Sequence, residues 1–294
     1  MTFLDYAQRG KNAGWRYVTG FVLGPVFGLV LGAALLIPAT LNHLLPDDIE
    51  TQLTQVKNPL IFFPTTAVIF GLFLVGFGLS VLVVHRKSPL DLLGRWDWRP
   101  FVLGAGLWLA YLGLCTAVDF AIAPKGFRFS PSPPSLDLAL IVIGALAVQT
   151  FAEEYVFRGY LTQGLLLGLK NPIAASILCG LAFGALHIPN GGPQAASAAV
   201  FGIGLSLIAI RTGSLAFGSG LHLVNNAYGA IVVVSEQDVF RGSPGFFYQN
   251  TPHLNWWDLG LGLGGMALLA YVISQGKWDR SSGRALKDLS QASP

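Results

Sequence analysis

Three short strings in this 294-residue chain carry side chains able to move protons and hold a developing negative charge. FAEEYVFRGYL contains Glu153, Glu154 and Arg158; LAFGALHIP contains His187; GLHLVNNAYG contains His222 and Asn226. On a helix, Glu154 and Arg158 at i,i+4 lie about 40° apart and can pair, whereas Glu153 points about 100° away and has no arginine partner. The pattern commits one carboxylate to the arginine and leaves the other free for work. A glutamate beside a neutral imidazole can take a proton from water and make a nucleophile for an amide or ester carbonyl. His222 and Asn226, again at i,i+4, offer an imidazole and an amide from one face, the kind of donors a tetrahedral oxyanion needs.

Plainer readings stand beside this one. Glu154 and Arg158 could be a buried ion pair that only fixes packing, and a lone histidine near a span end is usually structural or interfacial. Glu153, His187 and His222 could also ligate a catalytic zinc with an open position. No HExxH string accompanies them. Water activated directly by Glu153, with no cofactor, is therefore preferred; a divalent metal such as zinc on those three ligands is the second reading.

These residues need elements to position them, and composition says what surrounds those elements. The chain is 53% hydrophobic and only 11% charged, against about 25% charged in soluble domains. Too little polar surface remains for a water-soluble globule, so much of the solvent is lipid. The expected fold is all-α, a polytopic transmembrane bundle of about eight spans near 17–41, 60–84, 101–123, 136–169, 172–188, 194–210, 213–234 and 257–274. The fourth run, at about 50 Å if straight, must tilt, bend or project beyond the bilayer. Val18 to Ile37 is too long for a signal-peptide core and reads as a retained span.

A charged residue inside a span costs about 2.5–3.5 kcal/mol on insertion scales. The fourth run concentrates Glu153, Glu154 and Arg158, which makes it the functional candidate. Counting from the Lys170–Asn171 turn, Glu153 and His187 fall at nearly equal height, roughly 25 Å away. His222 and Asn226 lie somewhat nearer that side, so all can share one cavity.

Arg9, Lys11, Arg16, Arg86, Lys87, Arg95, Arg99, Lys170, Arg211 and the Lys277–Lys287 cluster fall on one side if both termini are cytoplasmic. Asp47, Asp48, Glu50, Glu236 and Asp238 mark the other, with Lys57, Lys125, Arg128 and Arg241 as basic exceptions. A bacterial inner membrane is the expected location. A net charge of +3 without a basic patch argues against nucleic-acid binding. Cys115 and Cys179 sit in apolar runs without CxxC spacing and read as small buried residues. Residues 1–280 read as one membrane domain with the motif core at 136–234, and 281–294 as a polar tail.

In order, EExxxR (Glu153, Glu154, Arg158), FxxxH (Phe183 to His187) and HxxxN (His222 to Asn226) resemble the motifs of the CPBP family. This is the family of intramembrane proteases that includes CAAX-processing endopeptidases and bacteriocin-immunity relatives. The resemblance covers about 136–234. It implies that Glu153 and His187 activate water, that His222 and Asn226 form the oxyanion site, and that Glu154 with Arg158 supports them. It also implies a membrane-associated protein or peptide substrate, prenylated in the CAAX case, with membrane lipid as the surrounding partner. The charge bias places the loop after His187 outside the cytoplasm, whereas CAAX substrates are cytoplasmic. Two other classes compete: a non-catalytic membrane partner or immunity protein, and a transporter with Glu153 and the histidines as a proton relay. The second is weakened because no half of the chain repeats the other.

Overall fold

The computed structural model describes residues 2–43, 51, 56–237, 239–250 and 255–275. The polar tail at 281–294 lies outside the described residues, as do Asp47, Asp48, Glu50, Asp238 and Lys277.

A short helix α1 (Phe3–Ala7) precedes α2 (Gly14–Leu41) and α3 (Pro59–Ser80), which a wide π turn extends through Val81–His85. After a loop come α4 (Trp98–Ile122) and α5 (Leu136–Glu154); α5 runs on through a π segment, Tyr155–Leu161, into α6 (Thr162–Leu169). Then follow α7 (Pro172–Ala185), α8 (Gly192–Thr212), α9 (Ala216–Ala227) with a π turn at Tyr228–Val232, and α10 (Asn255–Gln275). Starts are marked chemically. Asn58, Asp97, Ser135 and Asn171 each accept a backbone N–H at the head of their helix, and Pro59 and Pro172 fill the first helical position.

Among the described residues, six helical runs are long and apolar enough to cross a membrane: Gly14–Leu41, Pro59–His85, Trp98–Ile122, Leu136–Leu169, Gly192–Thr212 and Trp256–Ile273. Six of the expected spans have a counterpart among these runs, and the count of about eight is not confirmed. The fifth apolar stretch stops being α-helical at Ala185, and the seventh ends in a π turn and a strand, so their helices are shorter than their hydropathy. The all-α polytopic bundle stands. The loops add a small sheet: β1 (Phe127–Phe129) runs antiparallel to β3 (Phe247–Gln249), which is parallel to β2 (Val233–Ser235).

Close packing uses small residues, as expected where lipid gives helices no hydrophobic drive to associate. Gly20, Gly24, Gly28 and Gly32 form one buried face of α2 against α3, where a Cβ on Gly24 would stand 2.8 Å from the Phe77 ring. Gly180 of α7 meets Gly202 of α8 at similar range. The outward faces keep Val18, Leu29, Val102, Leu114, Leu181 and Leu263 exposed, consistent with a lipid-facing belt.

The 34-residue run Leu136–Leu169 stays continuous, but its middle is wound more widely than an α-helix. The Phe157 carbonyl in that segment accepts from the Thr162 hydroxyl (3.0 Å) and the Cys179 thiol (3.2 Å), so Cys179 has a polar contact as well as a packing role. The segment sends Arg158 and Tyr160 into the interior, both nearly inaccessible.

Candidate active site

Helices α5 and α9 pack against each other and bring four predicted residues together. Glu154, 1% exposed, pairs with Arg158, 0% exposed, at 3.1 Å on the same helix face. The contact is electrostatic rather than a directed hydrogen bond: among the described residues the guanidinium nitrogens have no aligned acceptor. The guanidinium also lies over the Phe183 ring, 4.3 Å from its carbon, a cation–π arrangement, with the Phe157 ring at 6.0 Å.

Glu154 also meets His222, whose Nδ1 lies 2.8 Å from Glu154 Oε1. Because a carboxylate oxygen accepts, Nδ1 carries the hydrogen, and Nε2 is the nitrogen turned toward Glu153, with Glu153 Oε2 at 3.5 Å. Glu153 is the more open carboxylate at 14% exposure, and its Oε1 accepts from Gln149 Nε2 at 3.0 Å. His222 thus stands between the two glutamates. Phe201 (5.3 Å between centroids) and Phe183 (6.0 Å) flank its ring edge-on.

Asn226 lies one turn beyond His222 on α9, half-buried, and its Oδ1 accepts from Asn225 Nδ2 at 3.2 Å. His187 sits just past the end of α7, half-buried, with Nδ1 donating to the Phe183 carbonyl at 2.9 Å and its ring 4.7 Å from that of Phe183. Among the described residues no hydrogen bond or ion pair joins His187 to Glu153; the imidazole nearest Glu153 is that of His222. The equal heights expected for Glu153 and His187 are not accompanied by a direct bond between them; the Phe183 ring packs against both histidines.

The metal reading fares differently. Among the described residues no three His, Cys, Asp or Glu side chains gather as a metal-binding group. Among the described residues Glu153, His187 and His222 do not form the open ligand set that zinc would need.

Gln149, Trp108 and Asn225 belong to the site and were not singled out by sequence. Gln149 was findable by the i,i+4 rule that paired Glu154 with Arg158. Trp108 reaches Asn225 across 117 positions, and no local pattern announces such a contact. Beside the cluster, a groove of about 380 Å³ opens between α4 and α5 with α9 as its floor, lined by Trp96, Trp98, Phe101, Ala147, Phe151 and Leu223 among others.

An all-α membrane bundle with a buried Glu–His–Glu–Arg cluster is the setting in which the comparisons fall. Residues 135–228 match the family model described as Type II CAAX prenyl endopeptidase Rce1-like, which spans all three motifs. The recognition is borne out as a likeness: over residues 135–228, which hold all three motifs, the chain is similar to the CAAX-type endopeptidases of the CPBP family. The Uncharacterized protein YyaK of Bacillus subtilis (strain 168) is 28% identical over 260 residues, covering 81% of this chain and 84% of that protein. No solved structure matches.

Proposed function

We propose that the protein hydrolyses a peptide bond of a membrane-associated protein or peptide, with Glu153 as the base that activates water. The observation carrying this reading is the junction at His222, tied by Nδ1 to a buried Glu154–Arg158 pair and facing Glu153 with Nε2. If one proton rests on Nε2, His222 carries two N–H groups and Glu153 stays ionised. Two carboxylates, one guanidinium and one imidazolium then sum to zero, the balance that groups in low-dielectric surroundings require.

Glu153 takes a proton from water, and the resulting hydroxide adds to the scissile carbonyl carbon. The carbonyl oxygen becomes an oxyanion held by His222 Nε2–H and Asn226 Nδ2–H. As the C–N bond breaks, the proton on Glu153 passes to the leaving amine. His187, with Nδ1–H engaged by Phe183, keeps Nε2 as an acceptor for the same water. Glu154 and Arg158 hold the imidazole in place.

The aromatic groove beside the cluster suits an apolar substrate segment, prenylated or not. The distribution of Lys and Arg supports an inner-membrane protein with both termini cytoplasmic.

The test compares protein termini from cells carrying wild type or Glu153→Gln at matched abundance. Termini that vanish in the variant are expected, and they name the substrate. A variant as active as wild type overturns the assignment of Glu153. On the junction so found, activity should survive exhaustive chelation; loss restored by zinc would replace direct water activation with a metal.

A further inference from the structure

The oxyanion role given to Asn226 depends on which end of its side chain faces the reacting carbonyl. Amide oxygen and nitrogen are nearly the same shape, so something must choose between them. Among the described residues, a chain of donors makes that choice.

Trp108, on α4 and 3% exposed, places its indole Nε1 at 3.0 Å from Asn225. An indole N–H can only donate, so the atom of Asn225 facing it must be oxygen. That turns Asn225 Nδ2 toward Asn226, where it donates to Oδ1 at 3.2 Å. With Oδ1 so engaged, Nδ2 of Asn226 is the end left over, and among the described residues it has no partner. The order Trp N–H, Asn225, Asn226 therefore runs in one direction and finishes on a free donor. Trp108 reaches the other proposed oxyanion donor as well: its ring meets Phe201 at 5.8 Å, and Phe201 meets His222 at 5.3 Å.

We infer that Trp108 and Asn225 are positioning residues that fix the orientation of the Asn226 amide, so that its N–H rather than its carbonyl faces the oxyanion. The inference rests on the proposed catalytic reading of Asn226. Neither residue touches the reacting atoms.

Asn225→Asp is the discriminating variant. Its carboxylate still accepts from Trp108 but has no hydrogen to give Asn226 Oδ1. It accepts from Asn226 Nδ2 instead and turns Oδ1 toward the oxyanion. Rates are read on a quenched peptide spanning the junction that Glu153 dependence defines, in detergent, on preparations with matched melting temperatures. The expected result is a fall in kcat of about 10²-fold with little change in KM, because the lost interaction exists only in the transition state. Asn225→Asp with Asn226→Ala should be no slower than Asn226→Ala alone. Trp108→Phe, which keeps the ring and removes the N–H, should lose kcat in the same non-additive way, and it decides the matter if Asn225→Asp does not fold. Wild-type kcat in the variant read, or losses that multiply in the double variant, overturns the relay. If Asn226→Ala is itself fully active, the oxyanion assignment fails and the relay with it. An impaired Asn226→Ala beside an unimpaired Asn225→Asp overturns the relay alone.

Discussion

Glu153 and Glu154 are adjacent in sequence and unlike in surroundings. Glu154 is sealed beside a guanidinium with no exposure, whereas Glu153 keeps 14% exposure and a neutral glutamine partner. Removing one charge of a buried pair strands the other, at about 3–5 kcal/mol. Glu154→Gln should therefore lower the melting temperature in detergent markedly, and Glu153→Gln should leave it nearly unchanged while abolishing cleavage. Equal melting temperatures would show that Arg158 is not held by Glu154 alone. The difference was legible in the sequence, since i,i+4 spacing set Glu154 under Arg158 and left Glu153 aside. The role of Glu154 as a ligand of His222 was not, because that contact crosses 68 positions and depends on how α9 docks.

At the scale of elements, helices could be read from hydropathy, but their ends and widened turns could not. Apolar character persists past Ala185 into Ile188 and Pro189, and past Ala227 into Val233, after the α-helix has ended. The wide turns depend on partners elsewhere, such as Cys179 for the Phe157 carbonyl. The loop between α3 and α4 also hides a polar cluster. Lys87 is 6% exposed, donates to Gln163 of α6 at 3.0 Å, and lies near Asp91, which pairs with Arg9 at 2.6 Å. Burial pushes its ammonium down to about 8 from an ordinary 10.5, the Arg9 charge lowering it further and Asp91 opposing. Between those pH values the unfolded chain binds the proton that the folded one has lost, so stability should rise with pH across that window. Below it, the cost of burying the charge is fully present. Melting curves at pH 7.5 and 9.5, compared with Lys87→Met, check this: the rise should appear in wild type and disappear in the variant.

For the whole molecule, orientation is carried by charges on loops. Arg128, a basic exception to the expected bias, is met by Glu236 at 2.5 Å; acidic partners count little in that bias, so Arg128 stays an exception. Ser132 lies exposed in the loop between α4 and α5, on the side opposite the exposed Lys170 turn. Ser132→Cys should be labelled by an impermeant maleimide on intact spheroplasts, and Lys170→Cys only after lysis. The reverse pattern would invert the protein in the membrane.

Helix α7 has 14 residues, about 21 Å of rise, against roughly 30 Å of hydrocarbon. Starting from the Lys170 turn, it delivers His187 well short of the far interface. Lipid beside it must thin or water must fill the difference, and either response makes a dimple in the bilayer above the histidine. For the hydrolysis proposed above, such a dimple would supply a route for water from the far side to the site. The proposed cleavage should then run slower in vesicles of longer-chain lipids than in thinner ones.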